Sequence, residues 1–211
     1  MALAVLQRGT TCILGGAATL KVVAAGTTLF LEGQMPNALY QLKSGCIKLS
    51  WNSPAGKEVI HELLVPGDVF DLPSCLDGSA YPLAGRALSN CDAEVWTISR
   101  GMLLEDPELM GRCQRLLLRQ LRDQRSHPVA SATERVEVRV IRALLWLSER
   151  LGGASFPLLL TRQELADWVG TTTETVIRIL SQFRRRGWIQ EQQGWLTLLE
   201  VRDLLECSEA A

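Results

Sequence analysis

The 211-residue chain predicts an α+β protein: an N-terminal β-roll or barrel, one long helix, and a C-terminal helix–turn–helix with a β-hairpin wing. Three observations carry this expectation. Short runs rich in Val, Ile, Leu and Thr, separated by Gly and Pro turns, fill residues 19 to about 100. After Glu105-Asp106-Pro107 the apolar residues change to helical spacing. Near the C-terminus two short helical stretches meet at Gly170, and the second ends in Arg184-Arg185-Arg186. The division that follows is 1–104 for the roll, 105–133 for the long helix and hinge, and 134–211 for the last domain.

Composition narrows the class. With 47% apolar and 21% charged residues the chain can build real cores. Its formal net charge is −1, so any surface for nucleic acid has to be local. Lys21, Lys43, Lys48 and Lys57 are the only lysines, and every strong cation beyond them is Arg. Six cysteines, at 12, 46, 75, 91, 113 and 207, form no CxxC pair. That argues against a zinc ribbon and for buried, reduced thiols. The opening MALAVLQRG holds too short an apolar run for a secretion signal. No run approaches the roughly 20 residues a bilayer requires. A soluble, cytoplasmic protein is expected.

In the first domain the strands expected are Thr19–Ala24, Thr28–Glu32, Ala38–Lys43, Cys46–Trp51, Val59–Leu64 and Ala93–Ile98. Turns fall at Glu32-Gly33, Lys43-Ser44-Gly45, Ser53-Pro54-Ala55-Gly56 and Val65-Pro66-Gly67-Asp68. From Glu105 onward Leu109, Cys113, Leu116, Leu117 and Leu121 form one helical stripe, and Arg112, Arg115, Arg119 and Arg122 share another face. Pro128 should break or kink this helix. A further helix, with Val136, Val140, Ala143, Leu144 and Leu147 inward, stops at Gly152-Gly153. Leu158-Leu159-Leu160 reads as a short strand.

Thr161 followed by Glu164 makes a capping box for a helix whose apolar face is Leu165, Trp168 and Val169. After Gly170, Thr171-Thr172-Thr173 caps a second helix that buries Val176, Ile179, Leu180 and Phe183. In a helix–turn–helix the second helix enters the major groove N-terminus first. Thr173, Glu174, Ile177 and Arg178 then face outward. Glu accepts from the cytosine amino group, and Arg grips guanine O6 and N7. Hydroxyls at the helix start, Thr171 among them, suit phosphates, as do Arg184, Arg185 and Arg186 at its end. Trp188-Ile189 and Trp195–Leu198 flank a turn and read as a wing. A bare amphipathic hairpin with a solvated Arg cluster is the competing reading.

At these residues the chain resembles the CRP/FNR family of bacterial transcription regulators. The phrase T-R-Q-E-L-A…V-G-x-x-x-E-T-V-x-R-I-L matches that family's helix–turn–helix. The SGCIKLSW–SPAGKEV–PGDVF pattern resembles its cyclic-nucleotide-binding-type β-roll, a double-stranded β-helix. The resemblance implies a homodimer joined by the helix near residues 106–127, bound to a two-fold-symmetric promoter site, with RNA polymerase as a further partner. It also places Glu174 and Arg178 at base-reading positions, Thr173 at one that tunes specificity, and Thr161, Arg162 and Thr175 at phosphates.

Relatives that bind cyclic AMP carry Gly-Glu and, about ten residues on, Arg-Ser or Arg-Thr for the cyclic phosphate. Here Asp71-Leu72 and Tyr81-Pro82-Leu83 stand at those places. Without a guanidinium a buried phosphodiester is costly, so cyclic AMP binding is not expected. Arg86, nearby, is open to a structural role or to another anion. Clustered Cys for an iron–sulfur centre are missing, and the haem-ligand position of relatives falls on Pro73. His61 and His127 stand apart, so no metal, cofactor or enzyme site is expected. Relatives sensing 2-oxoglutarate hold its carboxylates with Arg on the long helix, which makes Arg119 and Arg122 candidate effector ligands. A solvated Arg face, or no effector at all, stays open, as does a sensing module acting through a protein partner.

Overall fold

The computed structural model describes residues 12–14, 18–54, 56–88, 93–123 and 134–209, with the side chains of 119–123 and 207–209 left aside. Pro128, His127 and Cys91, and the side chains of Arg119, Leu121, Arg122 and Cys207, therefore lie outside the description. The described residues up to Asp123 belong to one compact unit and those from Glu134 to another.

The first unit is a β-roll of two four-stranded antiparallel sheets. One holds β1 (Thr19–Val23), β8 (Ala93–Ser99), β3 (Ala38–Ser44) and β6 (Val69–Phe70), in that order. The other holds β2 (Thr28–Phe30), β7 (Ala84–Ala87), β4 (Ile47–Asn52) and β5 (Glu58–Leu64). Their inward side chains form one core around Phe30, which lies 4.3 Å from Tyr81, 5.6 Å from Tyr40 and 6.2 Å from Phe70, centroid to centroid. Contacts of this kind add to simple area burial.

Six strands fall where the sequence places them, with ends moved by one or two residues. The expected Thr28–Glu32 strand stops at Phe30, because the chain turns there: Gln34 N–H donates to Leu31 O and Gly33 N–H to Tyr81 O. β6 and β7 were not foreseen. β7 reads Ala-Gly-Arg-Ala, with none of the β-branched residues that mark a strand. Its glycine is needed because a Cβ on Gly85 would lie 2.4 Å from the Phe30 ring. Gly85→Ala is expected to destabilise the roll by about 1–3 kcal/mol through overpacking. Urea denaturation measures it, and an unchanged midpoint would mean that Phe30 moves aside freely.

Helix α1 (Leu72–Asp77) follows Asp71, which adopts a left-handed conformation at φ 62°. It buries Leu72 and Cys75. Helix α2 (Arg100–Glu105) is capped by Ser99, whose hydroxyl accepts from Met102 N–H at 3.3 Å. Helix α3 (Pro107–Asp123) begins as the Glu-Asp-Pro signal predicts: Asp106 accepts from Glu108 and Leu109 N–H at 3.0 and 2.9 Å. Leu109 and Cys113 are buried against the roll, Leu116 and Leu117 are half-buried, and Leu118 is exposed. Cys46, Cys75 and Cys113 are buried and Cys12 is half-buried, none of them in a disulfide. Burial, helped by Asp71, pushes the Cys75 thiol up to about 12, and it donates to Ala38 O at 3.0 Å.

The second unit contains α4 (Val136–Leu151), β9 (Ser155–Pro157), α5 (Arg162–Val169), α6 (Thr173–Arg185), β10 (Ile189–Gln192), β11 (Trp195–Leu198) and α7 (Val201–Glu209). The α4 core face includes Val138 and Ile141, while Val136 is only half-buried. The strand expected at Leu158–Leu160 lies instead at Ser155–Pro157, paired with β11. Beyond Pro157 the chain tightens, with Leu159 N–H donating to Pro157 O, and Leu159 and Leu160 fill the core from a loop. The β10–β11 hairpin turns at Gln193 and Gly194, both at positive φ. Helix α7 packs on α4, and its Leu204 is buried.

Candidate nucleic-acid interface

The interface is built outward from the α5–α6 pair. The Thr161 hydroxyl accepts from Glu164 N–H at 3.1 Å, and Glu164 accepts from Thr161 N–H and Oγ1 at 2.9 Å, completing the capping box. At the far end Gly170, at φ 68°, turns the chain, and Thr171 N–H closes on Ala166 O. Thr172 then caps α6, accepting from Thr175 N–H at 3.3 Å. Gln163 joins the two helices: its Nε2 donates to Asp167 at 2.9 Å and its Oε1 accepts from the Thr173 hydroxyl at 2.5 Å. Local sequence rules do not reveal that link, because it spans the turn.

Helix α6 buries Val176, Ile179, Leu180 and Phe183, the four residues its periodicity predicts. Glu174, Ile177, Arg178, Arg184, Arg185 and Arg186 are exposed, and Thr173 is half-buried by its bond to Gln163. The hydrogen bond from Glu174's own backbone N–H, backed by the Thr172 hydroxyl, holds its carboxyl below the usual range. Glu174 is therefore an acceptor at neutral pH.

The Arg residues are not equivalent. Arg162 Nη2 donates to Glu191 on β10 at 2.5 Å, and Arg184 lies 3.7 Å from the same carboxylate. Arg186 pairs with Glu137 at 3.0 Å and stacks 4.7 Å from the centre of the Trp188 ring. Among the described residues Arg178 and Arg185 are the α6 cations left without a carboxylate. Sequence reading missed Glu191 and Glu137, which face their partners across 29 and 49 positions. Glu191→Gln is expected to release Arg162 and Arg184 and steepen the salt dependence of DNA binding by about one phosphate, a slope change of about 0.9. Fluorescence anisotropy on a random duplex across salt concentrations reads this, and an unchanged slope would make the pair irrelevant to binding.

The roll carries a separate cavity of about 230 Å³. Its walls include Asp71, Leu72, Pro73, Pro82 and Leu83, with Leu117 contributed by α3. A bulge in β5, where Ser50 pairs with Ile60 and Leu49 with Glu62, lets both His61 and Glu62 reach it. Among the described residues no Lys or Arg lines it. Burial, and to a lesser degree Glu62, pushes Asp71 up to about 7, and Asp71 Oδ2 is buried without a hydrogen bond. Arg86 lies elsewhere, exposed on β7 in an open groove with Ser50, Trp51 and Glu58. Burial would raise the Glu58 carboxyl, but bonds from Lys48 at 2.8 Å and Ser50 at 2.7 Å, with the Lys48 and Arg86 charges, hold it below its usual range. No three His, Cys, Asp or Glu groups gather at metal-binding distance among the described residues. No helix among them is long and apolar enough to cross a membrane.

A β-roll joined in one chain to a winged helix–turn–helix, with Glu174 and Arg178 exposed on its second helix, defines a class: transcription regulators that bind DNA. Comparison with known proteins agrees. Residues 20–105 match the cyclic nucleotide-binding domain and residues 138–207 the Crp-like helix-turn-helix domain. The chain is 30% identical over 176 residues to the "CRP-like cAMP-activated global transcriptional regulator" of Mycobacterium tuberculosis, covering 78% of this chain and 77% of that protein. It is 30% identical over 182 residues to the nitrogen fixation regulation protein FixK of Bradyrhizobium diazoefficiens, covering 84% and 76%. The structure of FixK2 from Bradyrhizobium japonicum superposes with a TM-score of 0.80 at 25% identity, over 92% of this chain and 98% of that one. The chain belongs to the CRP/FNR family of transcription regulators.

Proposed function

We propose that the protein binds a two-fold-symmetric promoter site as a homodimer, in the cytoplasm and without catalysing a reaction, and acts on RNA polymerase there. The observation that supports this most is the α6 surface: Glu174 and Arg178, a turn apart, are exposed opposite four buried apolar residues. Glu174 and Arg178 read base edges, Thr173 tunes them, and Thr161, Arg162, Thr171, Thr175, Arg184, Arg185 and Arg186 meet phosphates. The long helix α3 joins the protomers. The domains in this reading are 1–104, 105–133 and 134–211. Enrichment of duplexes from a random library by the full-length protein tests it. An inverted-repeat consensus supports the reading, and failure to enrich any sequence refutes it.

The cavity behind Asp71 is the natural effector site, and its walls disfavour a phosphodiester. Cyclic AMP is therefore expected to leave both the melting temperature and the DNA affinity unchanged at about millimolar concentration, where a true ligand of the folded state registers by mass action. A cyclic AMP shift abolished by Arg86→Ala would overturn this. Tested alongside, 2-oxoglutarate reports on Arg119 and Arg122: stabilisation lost in Arg119→Ala or Arg122→Ala assigns those residues to a dicarboxylate clamp.

A further inference from the structure

The α6 surface carries one side chain that base reading by Glu174 and Arg178 leaves unexplained. Of the five apolar residues in this helix, Val176, Ile179, Leu180 and Phe183 are at most 4% exposed, whereas Ile177 is 48% exposed. At that position Ile does little for the fold. It is buried far less than the four inner residues, and a β-branched residue is a poorer helix former than the Ala, Lys or Gln that would serve a solvated face. Its neighbours are Glu174 one turn before it and Arg178 beside it. One turn later the Ser181 hydroxyl is turned back onto Ile177 O at 2.8 Å, so it offers the helix surface no free proton there. Between an acceptor for cytosine and a fork for guanine, α6 thus presents a bare aliphatic knob.

In the major groove one base edge offers an apolar group, the C5-methyl of thymine. We infer that Ile177 is a specificity-determining residue that packs on a thymine methyl, selecting a T·A pair beside the pair that Arg178 reads. This rests on the DNA-binding reading above and adds a base identity to it. Removing one buried methyl group costs about 0.8 kcal/mol, so each half-site should lose about fourfold in affinity when that thymine is replaced by deoxyuridine.

The test uses the full-length wild type, Ile177→Ala and Ile177→Val, each enriching duplexes from the same random-sequence library. The wild type and the valine variant should return an inverted repeat with thymine at one position next to a guanine. Ile177→Ala should return the same repeat with that position degenerate. Deoxyuridine at the position should weaken the wild type about fourfold per half-site and leave Ile177→Ala unaffected. Because Ile177 is about half exposed, the three proteins should melt within a few degrees of one another. A consensus unchanged in Ile177→Ala, or an equal deoxyuridine penalty in wild type and variant, overturns the inference and leaves DNA reading intact. Failure of the wild type to enrich any sequence refutes DNA reading itself, and the inference with it.

Discussion

Replacing Arg178 with Ala is expected to abolish the preference for guanine at one position of each half-site, at about 1–3 kcal/mol per half-site. With one α6 in each half of a two-fold complex, the loss sums to about 2–6 kcal/mol for the dimer. The warrant is that Arg178 is exposed and faces no carboxylate among the described residues. Its five N–H donors therefore need not be freed from a competing partner before they meet a base. Arg185, equally unpaired at the helix end, supplies the contrast: Arg185→Ala should weaken every duplex alike and lower the salt slope by about 0.9. Anisotropy titrations on the consensus and on duplexes changed one pair at a time separate the two. If Arg178→Ala weakens all sequences equally, α6 does not read bases through this residue.

That contrast depends on knowledge the sequence holds unevenly. The α6 inner face, a cap within Thr171-Thr172-Thr173, the Thr161–Glu164 capping box and the Gly170 turn were legible because each is fixed by residues within about one helical turn of one another. The same holds for the start of α3 at Asp106. Which Arg are committed to carboxylates was not legible. Glu191 reaches Arg162 only because the hairpin folds back beside α5, and Glu137 reaches Arg186 from another helix. In the roll, β7 was missed because pairing with β2 and β4, and the small Gly85 beneath Phe30, define it rather than β-propensity. Helix α1 was missed because it starts from a left-handed Asp71, a conformation an aspartate tolerates without advertising it. Leu158–Leu160 misled because an apolar triplet suits a buried loop as well as a strand.

Asp71 itself should make the stability of the roll depend on pH. Its carboxyl is pushed from 3.8 to about 7, mainly by burial and then by the Glu62 charge, and Oδ2 has no hydrogen-bond partner. In the unfolded chain the group ionises near 3.8, so between that value and about 7 the folded state holds a proton that the unfolded state has lost. Stability is therefore highest below the unfolded value and falls as pH rises through about 7. Each pKa unit corresponds to about 1.36 kcal/mol, which sets a ceiling of about 4 kcal/mol on the loss. Asp71→Asn is the clean probe, because Asn tolerates the φ of 62° and cannot ionise. Urea unfolding of both proteins should give equal stabilities at about pH 4, with the variant ahead by up to about 4 kcal/mol at about pH 8. Other carboxylates titrate in this range too, but they are common to both proteins and cancel in the difference. Parallel stability curves would show that Asp71 is solvated or paired in solution and that the cavity wall it forms carries its charge without penalty.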